Sequence, residues 1–157
     1  MTPDYLWLKW LHIISATVLF GTGFGTAFYK WTVDRRGDVR AIAVVMERVV
    51  LADWIFTTPA AVIQPVTGIW LASIAGYSLT EGWVPWSLIL YAIAAMCWLP
   101  VVYLQIRMRD MARVCIARGS PLPPRYHEYA RIWFWLGMPA FSALIVVYYL
   151  MVFRPTL

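Results

Sequence analysis

Charge is what this sequence has least of. Only 13% of its 157 residues are Asp, Glu, Lys or Arg, against about a quarter in ordinary soluble domains. That shortage excludes a soluble globular reading. Cysteine is scarce too: Cys97 and Cys115 stand alone, in no CxxC pair. Neither is placed for an exported disulfide, and both residues read as structural. GxGxxG, P-loop and HExxH patterns are missing, and so are the chemistries they serve. The methionines are scattered, which gives copper transport little support. No carboxylate pair sits within an apolar stretch; Asp53, at the edge of one, is expected to be satisfied by Arg48.

What the chain has instead is apolar length. Hydrophobic residues make up 62%, with 10 tryptophans. Uncharged windows cover 10–29, 54–80, 82–106 and 132–153, and about 20 apolar residues of helix cross the hydrocarbon core. The expectation is an all-α, polytopic membrane protein: one domain over 1–157, a bundle of four transmembrane helices near 5–31, 49–75, 86–108 and 130–153. Gly76, Gly82 and Pro85 separate the second window from the third.

The net charge of +5 is confined to two connections. Lys30, Arg35, Arg36, Arg40 and Arg48 lie between the first and second helices. Arg107, Arg109, Arg113, Arg118, Arg125 and Arg131 lie between the third and fourth. The second-to-third connection has no basic residue. By the positive-inside rule both basic loops face the cytoplasm, and both termini face the periplasm across a bacterial inner membrane. Nucleic acid is not the expected partner of these charges. The first segment lacks a basic start and a small-residue cleavage site, so it reads as an anchor and not a signal peptide.

In the first helix a wheel at about 100° per residue gathers His12, Ser15, Ala16, Leu19, Gly23, Thr26 and Ala27 on one small, weakly polar side. Trp10, Ile13, Thr17, Phe24 and Phe28 fall towards the other. The small side should meet neighbouring helices and the bulky side lipid. Tyr29, Lys30 and Trp31 read as an anchor at the membrane boundary. Gly21 and Gly25, spaced GxxxG away from His12, make a homodimer through this helix plausible.

The second helix holds the densest local pattern, FTTPAAVIQPVTG. Pro59 and Pro65 remove two backbone donors and free the carbonyls of Ile55 and Ala61. Those carbonyls need partners in hydrocarbon, and Thr57, Thr58, Gln64 and Thr67 are near. A bent polar helix of this kind can line a site or be a kink stabilised by its own threonines. Asp38 is placed to cap a helix entering the membrane, and Gly119 to end the third helix.

His12 is the only histidine at membrane depth; His127 reads as a solvated loop residue. An ionisable side chain inside a membrane is a candidate functional group, and imidazole is the usual haem ligand. His12 and His127 cannot share one metal within a monomer. Lys9, one turn from His12, is placed to meet a haem propionate.

The stretches WLKWLHIISATVLFGTGFGTAFY, ADWIFTTPAAVIQPVTG, QIRMRDMA and RIWFWLGMPAF together resemble a bacterial family of predicted integral membrane proteins catalogued as a domain of unknown function. More distantly, the WLKWLH opening is similar to the start of HemJ-type protoporphyrinogen oxidases and the CopD-like group. That likeness implies a haem ligand at His12. It does not extend to the tyrosine-leucine-proline-arginine stretch or the later lysine of the HemJ type.

The leading expectation is therefore a b-type haem protein with a redox or haem-handling role. His12 is the axial ligand and metal-binding residue, with Lys9, Ser15 and Gln64 around the cofactor. The alternative is a cofactor-free small transporter or a helper subunit of a membrane complex.

Overall fold

The computed structural model describes residues 3–155, and all its regular elements are helical. Helix α1 spans Pro3–Arg36, α2 Val39–Ala52, α3 Thr58–Ile74, α4 Trp83–Arg118 and α5 Pro124–Phe153. A single π-helical turn, Asp53–Thr57, joins α2 to α3. Residues on both sides of it keep right-handed helical dihedrals, so α2, the turn and α3 form one continuous rod.

Local sequence explains the boundaries. Gly37, at φ +71°, ends α1, and Asp38 caps α2 by accepting from the amides of Arg40 and Ala41. Gly119, at φ +61°, closes α4 in the left-handed conformation that costs glycine least. Pro124 opens α5, where its missing amide hydrogen has no partner to lose. Pro65, Pro100 and Pro139 all remain inside helices.

Three helices, α1, α4 and α5, are long and apolar enough to cross a membrane. The fourth expected crossing is the divided rod. Its α2 segment starts ten residues before the expected boundary and carries Arg40, Glu47 and Arg48, and the π turn divides the rod into helices of 14 and 17 residues, each short of a full crossing.

Helix α1 packs along the whole rod, α2 packs on α4, and α4 lies lengthwise against α5. Helix α3 touches α4 only lightly. The main apolar core lies at the basic end, where Ile42, Ala43 and Met46 of α2 meet Val101, Leu104, Met108 and Ala112 of α4 and Trp133 of α5. Helix α1 reaches α5 through an aromatic patch: Phe20 stands edge-on to Phe141 and Tyr148, and Gly23 leaves room for the Phe141 ring. The Tyr148 hydroxyl donates to the Ala16 carbonyl at 2.9 Å.

The expected sidedness of α1 holds. His12, Ser15 and Ala16 are buried, whereas Trp10, Ile13, Phe24 and Phe28 are exposed. Lys30 corrects the expectation. It is no boundary anchor but a buried residue within α1, 1% exposed, paired with Asp34. His127 sits in the first turns of α5 rather than in a loop, and is exposed.

Candidate functional site: a closed polar cluster between α1 and α3

Helical spacing brings the site together. His12 and Ser15 are three residues apart on α1, and Gln64 and Thr67 three apart on α3, so each pair shares a face. The two faces meet, and all four side chains are buried. Gly68 permits the approach: a Cβ there would lie 3.2 Å from His12 Cε1.

The hydrogen bonds form a directed chain. Ser15 Oγ donates to Gln64 Oε1. The Gln64 amide nitrogen, which can only donate, gives a proton to His12 Nε2 at 3.1 Å. With Nε2 accepting, the single proton of a neutral imidazole sits on Nδ1, which donates to Thr67 Oγ1 at 2.7 Å. The Thr67 hydroxyl passes its own proton back to the Ile63 carbonyl at 2.7 Å. Every ring nitrogen, amide atom and hydroxyl in the cluster is engaged, which is how buried polar groups avoid the cost of an unmade bond.

This chemistry does not fit axial haem ligation. Iron needs the lone pair of one ring nitrogen; Nε2 already accepts from Gln64, and Nδ1 carries the proton. Lys9 is exposed and makes no hydrogen bond to the cluster. Among the described residues, no group of three or more His, Cys, Asp or Glu side chains is placed to hold a metal ion. Of the expected cofactor residues, the fold thus unites His12, Ser15 and Gln64 and leaves Lys9 outside.

Sequence reasoning missed Thr67 as the second partner of His12, although its place three residues after Gln64 was a legible signal. It also misplaced the relief for the proline-freed carbonyls. The Ala61 carbonyl, released by Pro65, accepts from the Tyr91 hydroxyl of α4 at 2.7 Å.

A second polar station lies lower on the same rod. Asp53, 4% exposed, accepts from Thr57 at 2.8 Å through one carboxylate oxygen. Its other oxygen is buried without a partner, as is Gln105 Oε1 on α4. Arg48 was the expected partner of Asp53 but is exposed and makes no ion pair with it. The reason is angular. A spacing of five residues turns the two side chains to different sides of the helix, and Asp53 faces inward with Thr57. With Gln64 and Thr67 they form one buried polar stripe along the rod.

A family model described as "Predicted integral membrane protein (DUF2269)" matches residues 6–155. This chain belongs to that family. Comparison with curated proteins and with solved structures gave no match. It is therefore an integral membrane protein of unknown function, with three helices long and apolar enough to cross the bilayer.

Proposed function

We infer that the chain is a cofactor-free membrane module of the transport type, and that the stripe Asp53–Thr57–Gln64–Thr67 is its hydrophilic line in a closed state. In this reading the rod from α2 to α3 is a fourth crossing. The basic loops face the cytoplasm of a bacterial inner membrane, and both termini face the periplasm. A second copy packs through Gly21 and Gly25, beside which a Cβ would meet nothing within 4 Å.

One observation carries the reading: four polar side chains occupy a single buried face of a helix interrupted by a π turn and by Pro65. Ionisable residues within membrane helices that face a bundle interior mark substrate and proton pathways, and π turns are frequent at functional positions. His12 supplies a way to open the line. A second proton on Nε2 would set two donors face to face against Gln64. The amide then turns to offer its oxygen, and Ser15 accepts from the amide instead while donating to the His12 carbonyl, already 3.2 Å away. The proton, or a small solute moving with it, is the natural cargo.

The full pairing of the cluster favours a second reading, a fastener between α1 and α3 in a helper subunit. Proteoliposomes carrying a trapped pH dye under an imposed potassium-diffusion potential separate the two. Transport predicts proton flux that disappears in Gln64→Leu while the folded protein remains. A fastener predicts no flux in any form and a lower melting temperature for Gln64→Leu. Flux that is equal in Gln64→Leu and wild type contradicts the transport reading.

A further inference from the structure

At the basic end, an open cavity of about 390 Å³ lies between α1 and α5. Its lining includes Lys30, Trp31, Arg35, Arg131, Trp133 and Phe134. The charges are unbalanced. Three cations face one carboxylate, Asp34, which is already doubly engaged: Lys30 Nζ lies 2.5 Å from its Oδ2, and the Tyr126 hydroxyl donates to its Oδ1 at 2.7 Å. Arg35 and Arg131 make no ion pair among the described residues.

Two features give the cavity more order than a solvated basic loop. The Arg35 guanidinium lies over the Trp31 ring, 4.2 Å from its centroid, which fixes a long side chain at the rim. The wall contains Trp133, 8% exposed, whose indole N–H has no hydrogen-bond partner. A buried donor without an acceptor carries a desolvation cost, and an anion's oxygen would remove it. Lys30 Nζ stands 4.5 Å from the Trp133 ring centroid, so a cation lies against the same indole ring. Trp31 and Phe134, both exposed apolar side chains, continue the cavity onto the lipid-facing surface.

We propose that this cavity between the last turns of α1 and the first turns of α5 binds the phosphate headgroup of an anionic phospholipid. Arg35 and Arg131 grip the phosphate, Trp133 Nε1 donates to it, Lys30 charges the wall, and the acyl chains run out past Trp31 and Phe134. The position suits this occupant. The cavity opens at the end of the bundle that carries both basic connections, where headgroups lie, and basic pockets between transmembrane helices are recurring headgroup sites. The proposal is independent of the transport reading, since it uses no residue of the His12 cluster.

The test is native mass spectrometry of the full chain in detergent, titrated with phosphatidylglycerol or phosphatidylcholine. Wild type is expected to retain one phosphatidylglycerol and to show no comparable phosphatidylcholine adduct. The double substitution Arg35→Gln/Arg131→Gln should weaken that adduct by about tenfold or more. Arg40→Gln/Arg118→Gln, which removes two exposed arginines outside the cavity, should leave it unchanged. Trp133→Phe keeps the ring and deletes the donor, and should weaken the adduct to a smaller extent. Equal loss in the two arginine pairs would overturn the site in favour of diffuse attraction. Displacement of the lipid by inorganic phosphate alone would overturn the lipid assignment in favour of a free-anion site. A failure of Arg35→Gln/Arg131→Gln to fold is recognised from its melting curve, and Trp133→Phe then decides.

Discussion

The two ends of this bundle bury polar groups by opposite means. At the end carrying the termini, Ser15, Gln64, His12 and Thr67 are neutral in their paired arrangement, and every side-chain donor has an acceptor. At the basic end, Lys30 and Asp34 form an ion pair held between Tyr126 and the Trp133 ring beside the main apolar core. A neutral network exchanges partners by rotating an amide. A charged pair cannot do so without leaving a charge in a low dielectric, where uncompensated ions are costly. In the transport reading proposed above, the first switches and the second stays. Helix α1 contributes residues to both.

The contrast breaks most visibly at Asp34. Asp34→Ala leaves Lys30 buried without its counter-charge and deprives Tyr126 of its acceptor. The expected loss is about 3 kcal/mol, read as a large fall in melting temperature in detergent. A neutral effect would mean that the basic end is wetter than its burial indicates. At the other end, Gln64→Leu orphans His12 Nε2 and leaves the Ser15 hydroxyl only the His12 carbonyl, with an expected cost of about 1–3 kcal/mol. Guided by the same contrast, the Gln64 variant should alter the chemical shifts of the His12 ring and leave those of the Trp133 indole in place. Tyr91→Phe should cost least, about 1 kcal/mol, because it removes one hydrogen bond to the Ala61 carbonyl. Pro65→Ala returns a backbone donor to that carbonyl, so in the double variant the Tyr91→Phe penalty should shrink; additivity in this cycle would refute the pairing.

Much of the architecture was legible in the residues. The absence of charge over long windows announced apolar helices, Asp38 and Gly119 marked real ends, and the small side of α1 did face its neighbours. The His12, Ser15 and Gln64 positions were found because helical spacing is a local rule. Other features depended on which helices touch, which spacing does not reveal. Tyr91 serves Ala61 from thirty positions away, and Tyr126 reaches Asp34 across ninety-two. Lys30 read as a boundary anchor because lysines near aromatic residues usually are; its pairing with Asp34 at i,i+4 was the available hint that it is held inside. The π turn at Asp53–Thr57 was invisible for a related reason. Prolines announce a disturbance in a helix, but packing against α1 decides what form the disturbance takes.

Central to the proposed function is that His12 serves a protein network and not a cofactor. An absorption spectrum of the purified protein, expressed with ample haem and accompanied by metal analysis, tests it most directly. The account predicts no Soret band and no bound metal in wild type. A Soret band in the wild-type protein that disappears in His12→Ala would contradict it.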